Sequence, residues 1–167
     1  MLRRVGVNTG LLLAAFFTLV ASGAGSTKPR KCQAADFALR QGPETSALGH
    51  FRQTVRLRNQ THTTCHMSGW PTVVLLNANG AALHSHELRI TSDMFGKSPK
   101  PNVVVKPGGS ASFAIDNTAP STQCPTAKAI AVTPPGGHGK GRLVIPVQAC
   151  NTFAVLPVQP GNKAIHP

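Results

Sequence analysis

The chain has no tyrosine, a single tryptophan and only five carboxylate side chains among its 167 residues. Scarce aromatics leave a core of small and branched side chains, one that gains from covalent support. Asp36, Glu44, Glu87, Asp93 and Asp116 are too few and too scattered to single out the carboxylate pair of a glycosidase. No Gly-x-Ser-x-Gly elbow and no His-Glu-x-x-His helix occurs, so the common hydrolase signatures are missing too. The expected protein is not an enzyme and needs no cofactor. No stretch sustains a helical period, and no apolar run reaches the roughly 20 residues that span a bilayer.

The longest apolar run lies at the start. Arg3 and Arg4 precede Leu11 to Val20, and Ala21-Ser22-Gly23-Ala24 supplies small residues for cleavage, which is the pattern of an export leader over residues 1–24. Residues 25–33 then read as a basic linker, 34–160 as one β domain and 161–167 as a polar tail. Cleavage after Ser22 is the rival site. Cys32 is no lipoprotein cysteine, because Lys28-Pro29-Arg30-Lys31 stands where a small apolar lipobox would be. With the leader gone, no transmembrane segment is expected, and the protein should be secreted or associated with the cell envelope.

Negative charge is the rarer sign. Seventeen Lys and Arg give a formal net charge of +12; loss of Arg3 and Arg4 leaves 15 against 5, or +10. Such a field draws polyanions, among them cell-wall phosphates, acidic glycans and lipid head groups. It also serves plain solubility.

Four cysteines follow the leader: Cys32, Cys65, Cys124 and Cys150. Close Cys-x-x-Cys pairs are absent, which disfavours a zinc site, and an even count behind an export signal predicts two disulfides. Four cysteines allow three pairings. The strand order prefers Cys32 with Cys65 and Cys124 with Cys150, since the latter two flank a hairpin around Gly136 to Gly141.

The chain is organised around CHMSGWPTVVLLNANG, residues 65–80, where a cysteine and the tryptophan precede an apolar run and an Asn79-Gly80 turn signal. Before it, Ala34 to Leu39 suggests a first strand broken by Gln41-Gly42-Pro43. FRQTVRLRN then alternates Phe51, Val55 and Leu57 against Arg52, Thr54, Arg56 and Arg58. After it, Ala81 to Ile90 is expected to pair back as a hairpin, Ser92 to Pro101 to be loop, and 102–106 and 111–116 to be successive strands. Strands over 129–133 and 142–147 and a last one at Phe153 to Val158 complete the series. Fourteen Pro and 16 Gly punctuate them, so a β-sandwich or barrel is expected.

The ordered features Gly49-His50-Phe51, Arg58-Asn59, Cys65 to Pro71, Asn79-Gly80, Val105 to Ala111, Cys124, Val132 to Pro135, Cys150 and Val155 to Val158 resemble the actinobacterial secreted proteins of domain of unknown function family 4232. Trp70 stands where that family usually has tyrosine, so an aromatic is retained. The resemblance implies export and an immunoglobulin-like antiparallel β-sandwich. It implies no activity and carries over no site residues.

Two constellations could carry function. Arg52, Arg56 and Arg58 would line one strand face, with Arg40 and Arg89 nearby, as a surface for phosphate, sulfate or carboxylate; the loops at Trp70 are the companion candidate. No aromatics interleave with these arginines, which argues against nucleic acid as the normal partner. An anionic wall polymer or another protein is the expected partner. The alternative is a metal-binding protein or enzyme built on His84 and His86, two residues apart on one strand, although no third ligand is spaced to match. Asn59-Gln60-Thr61 is also a formal glycosylation sequon.

Overall fold

The computed structural model describes residues 29–118 and 124–164. The proposed leader, the first half of the linker, and residues 119–123 and 165–167 lie outside that range. Among the described residues no helix is long and apolar enough to cross a membrane.

The fold is all-β. In chain order the strands are β1 (Arg30–Lys31), β2 (Phe37–Ala47), β3 (His50–Asn59), β4 (Cys65–Ser68) and β5 (Thr72–Leu76). Then come β6 (His86–Arg89), β7 (Ser92–Asp93), β8 (Gly96–Lys97), β9 (Asn102–Val105) and β10 (Ser110–Thr118). The last are β11 (Thr126–Ala127), β12 (Ala129–Thr133), β13 (Gly141–Leu143), β14 (Val147–Gln148), β15 (Thr152–Val155) and β16 (Gln159–Pro160). The largest sheet has the order β2-β3-β10-β15-β6, with β16 also paired to β10. Two three-stranded sheets, β1-β4-β9 and β13-β12-β5, bring their apolar residues to the same core. Most ladders are antiparallel, as expected. The β1–β4 and β15–β6 ladders are parallel, which departs from a purely antiparallel plan.

Alternation decides which side chains meet. Leu57, Val55, Phe113 and Ile115 share the inner face of the large sheet and pack in one cluster with Met67, Val103 and Val105 and with Val73, Leu75, Ile130 and Val132. Phe113 is the largest fully buried side chain. No larger aromatic occupies this core, and two disulfides tie its margins: Cys32–Cys65 and Cys124–Cys150, closing separations of 33 and 26 residues. The parallel β1–β4 ladder, with Arg30 opposite Cys65, aligns the first pair. The β11–β14 ladder, with Thr126 opposite Gln148, aligns the second.

Several elements differ from their sequence reading. Residues 34–36 form a 3₁₀ turn, because the Asp36 carboxylate accepts the Gln33 N–H (2.6 Å) and both guanidinium nitrogens of Arg30. The strand starts only at Phe37. It then runs through Gly42-Pro43 to Ala47, and a register shift between Gln41 and Glu44 absorbs the proline at the sheet edge. The second half of the basic linker is part of the fold, as β1. Residues 92–97 are not open loop but a small β7–β8 hairpin, turned through Met94-Phe95 and closed by Gly96 at φ 126°.

The Asn-Gly turn forms, with Asn77 Oδ1 accepting the N–H groups of Asn79 and Ala81 and with Gly80 at φ 79°. Its hairpin is short, however, bridging only Leu76 and Ala82. His86–Arg89 instead pairs in parallel with Thr152–Val155, held from the other side by the Glu87 carboxylate accepting the Val73 N–H at 2.6 Å. Strands β9 and β10 are successive but do not pair; the Lys106 to Gly109 turn carries the chain from the β4 sheet to the β3 sheet.

Candidate functional site

The outer face of the large sheet is where the arginines were expected, and the structure divides them. Arg52 is only 3% exposed. Its Nε donates to Asp93 Oδ2 at 2.8 Å, its terminal nitrogen also bonds that carboxylate, and its guanidinium carbon lies 5.0 Å from the Phe95 ring centroid. The β7–β8 hairpin therefore lies over this part of the sheet and withdraws Arg52 from any external partner. Thr54, Ser112 and Ala114 are buried on the same face. The C-terminal turn contributes to this cover, since the Ala164 N–H donates to Ser112 Oγ at 3.2 Å.

Arg56 and Arg58 lie beyond the covered part. In the β2–β3 ladder Arg40 stands directly opposite Arg56, and Ala38 opposite Arg58. Directly opposed residues of an antiparallel pair share a face, so Arg40, Arg56 and Arg58 form one basic cluster. Arg40 and Arg58 are exposed and Arg56 is half-buried, its Nε enclosed without a hydrogen-bond partner. None of the three forms an ion pair among the described residues. Beside them a groove of about 340 Å³ is lined by Ala38, Arg40, Arg58, the 59–62 turn, Pro107 and Gly108. Like charges placed opposite one another weaken a sheet, so this pairing is a cost that an anion would relieve.

Asn59 holds that turn in shape. Its amide nitrogen donates to the carbonyls of Thr63 (2.9 Å) and Val105 (3.2 Å), and its Oδ1 accepts from both the N–H and hydroxyl of Thr61. Only 1% exposed, Asn59 is not an acceptor for glycan in the folded chain.

Trp70 is half-buried at the Gly-Trp-Pro corner, where its indole N–H donates to the Ile90 carbonyl at 2.8 Å. Lys100 Nζ lies 5.2 Å from the ring centroid, a cation–π contact that occupies one indole face. A second cleft of about 340 Å³ runs between Trp70, Thr72, Arg89, Lys100 and the 133–137 loop. Arg89 is engaged there with Glu87 (3.0 Å) and Thr72. Trp70 is thus a clamp between three segments more than an open platform.

His84 and His86 are both exposed, His86 opening β6 and His84 in the segment before it. Among the described residues no three His, Cys, Asp or Glu side chains group to hold a metal.

A titratable cluster escaped sequence reasoning altogether. Asp116 lies opposite Arg52 in the β3–β10 ladder, yet Arg52 is turned to Asp93. Asp116 is 6% exposed, and burial, aided by the neighbouring Asp93 charge, raises its carboxyl above the ordinary range. His50 Nδ1 stands 3.6 Å away. No sequence motif joins His50, Arg52, Asp93 and Asp116; only the strand register does.

The family model for a domain of unknown function, DUF4232, matches residues 32–160. The chain belongs to the DUF4232 family. The match opens at the first disulfide cysteine and closes at the end of β16, so it takes in every strand just described except β1. No curated protein matches the chain, and no solved structure does.

Proposed function

We propose that this DUF4232 chain is an exported, non-catalytic binding domain of the cell envelope or its surroundings, with an immunoglobulin-like sandwich as scaffold and an anionic partner held by Arg40, Arg56 and Arg58. Its preferred ligand is a wall polymer bearing phosphate or carboxylate groups. The observation that carries this reading is the direct opposition of Arg40 and Arg56 next to Arg58, with no carboxylate paired to any of them among the described residues. Planar guanidinium forks donate to two oxygens each, which suits repeated oxyanions. Two disulfides and the leader-like residues 1–24 support an oxidising destination. Arg52, buried against Asp93, has no part in binding. The Trp70 cleft is the weaker surface, since Arg89 is engaged by Glu87 and Lys100 lies on the indole.

Co-sedimentation of the oxidised 25–167 chain with purified host envelope, across a salt series, tests this. Binding that falls steeply with salt and is lost in an Arg40/Arg56/Arg58→Gln variant is the expected result. Equal sedimentation of variant and wild type would remove the basic cluster from the account.

A further inference from the structure

Of the described histidines only His62 borders the groove beside Arg40 and Arg58. All three side chains are exposed, so a ligand lying in the groove can touch each of them. The turn that carries the imidazole is tied down on both sides. The Gln60 N–H donates to the Asp36 carbonyl at 2.8 Å, the Thr63 N–H donates to Thr61 Oγ1 at 3.3 Å, and the Asn59 side chain bonds Thr61, Thr63 and Val105. The charged groups on the elements around this turn are mostly cations: Arg40 on β2, Arg56 and Arg58 on β3, and Lys106 where the 106–109 turn begins. Two carboxylates share these elements, and neither is placed to hold an imidazolium. Both oxygens of Asp36 accept from Arg30, at 2.8 and 2.7 Å. Glu44 lies past the β2 register shift, opposite Gln53 and so roughly 16 Å along the strand from Arg58.

We propose that anion binding in this groove is coupled to protonation of His62, so that the groove holds its ligand more strongly as the surroundings become acidic. This rests on the arginine groove being the anion site and adds its regulation. An imidazole ringed by cations gains a proton at a cost, and a bound anion removes that cost. By reciprocity, the proton that the anion draws onto His62 from solvent strengthens the anion's own binding. Imidazole ordinarily titrates near pH 6.5, so affinity is greatest below that range and declines as pH rises through it. One added unit charge about 4 Å from the anion is worth roughly fivefold in affinity in water. The ligand that benefits stays ionised while the imidazole charges, as a phosphodiester or a sulfate half-ester does. A phosphate monoester takes up a proton of its own near pH 6 and gains less.

The test is the affinity of the oxidised chain for long-chain inorganic polyphosphate, whose interior phosphates stay ionised throughout, at pH 8 and at pH 5.5. Salt is held at about 0.15 M, where exposed charges more than roughly 8 Å apart are largely screened. Wild type is compared with His62→Gln, with His84/His86→Gln as a control at exposed histidines outside the groove, and with Arg40/Arg56/Arg58→Gln. The gain in affinity on acidification should be roughly fivefold smaller in His62→Gln than in wild type, and the control should keep the wild-type gain. Calorimetry of the wild type at pH 6.5, in two buffers of different ionisation enthalpy, should read proton uptake on binding. An unchanged gain in His62→Gln, a gain lost equally in the control, or no proton uptake would overturn the proposal. If the arginine variant loses binding while His62→Gln keeps its gain, this inference alone fails. If the arginine variant binds as wild type does, the arginine reading fails and takes this one with it. His62 is exposed, so an unchanged melting temperature in His62→Gln shows that a lost pH response is not a lost fold.

Discussion

The Arg52 guanidinium and the Asp93 carboxylate form an ion pair in which the two side chains are 3% and 1% exposed. Asp93 also accepts the Phe95 N–H at 2.9 Å, so the pair fixes the β7–β8 hairpin to β3. Removing one partner strands the other away from water. Arg52→Ala should therefore cost about 3–5 kcal/mol, read from urea denaturation, while a paired Arg52→Met, Asp93→Leu change should cost less than either single one. A single substitution with little effect would mean that the hairpin opens readily and leaves the pair solvated.

Gly137 backs onto the first disulfide. A Cβ there would lie 2.1 Å from the Cys32 carbonyl oxygen, and backbone cannot yield as a flexible side-chain end can. Gly137→Ala should destabilise by roughly 1–3 kcal/mol or more. Gly80→Ala makes an informative comparison: open space surrounds that position, and the cost there arises from its φ of 79° alone. A thermal melt of both variants should show the larger drop for Gly137→Ala.

With small aromatic content, the core leans on its cross-links. Loops of this length each restrict the unfolded chain by about 3 kcal/mol. Cys32→Ser with Cys65→Ser, and Cys124→Ser with Cys150→Ser, should each lower stability by that order, measured against the oxidised parent in the same denaturant series. Mass spectrometry after partial proteolysis should recover the peptides containing residues 32 and 65 as one linked species.

Two aspartates respond to pH with opposite signs. The Arg30 side-chain hydrogen bonds are the main reason that the Asp36 carboxyl lies below its ordinary value. Its contribution is present above the unfolded-state value near 3.8 and is lost as pH falls through the depressed folded value. Asp116 is shifted upward by burial, so the folded state holds its proton more tightly than the unfolded chain. Stability tied to Asp116 is full below the unfolded value and declines as pH rises through the folded one. At pH 7 Asp116→Asn should stabilise and Asp36→Asn should destabilise; a melting series from pH 3 to 7 checks both, and equal shifts in one direction would contradict the assignment.

Much of the scaffold was legible because period-two alternation and turn chemistry act locally. Phe113 and Ile115 face inward as their spacing requires, the Asn79-Gly80 turn forms, and the strand order anticipated both cysteine pairs. Long-range partners were not legible. Nothing in residues 81–90 says that His86–Arg89 will take Thr152–Val155 as its neighbour in place of β5. The same limit governs the site. Alternation placed Arg52, Arg56 and Arg58 on one face correctly, but not the β7–β8 hairpin that covers Arg52, nor the register that sets Arg40 against Arg56. Burial of Asp116 on the outer face was equally hidden, since an outward position reads as solvated until another segment packs over it.

The proposed site assigns the anion to three particular arginines, not to the overall positive charge. The direct measurement is the affinity for inorganic polyphosphate as a function of salt, in wild type, in Arg40/Arg56/Arg58→Gln and in a charge-matched Lys128/Lys140/Arg142→Gln variant altered at exposed positions elsewhere. Each phosphate contact releases counterions and steepens the dependence of log affinity on log salt by just under 1 for duplex DNA, with a similar order for other dense polyanions. The arginine variant is expected to lose at least about tenfold in affinity and to flatten the slope by about 2–3, while the matched variant stays near wild type. Equal losses in the two variants would show that only the net charge binds, and would contradict the assignment of the site.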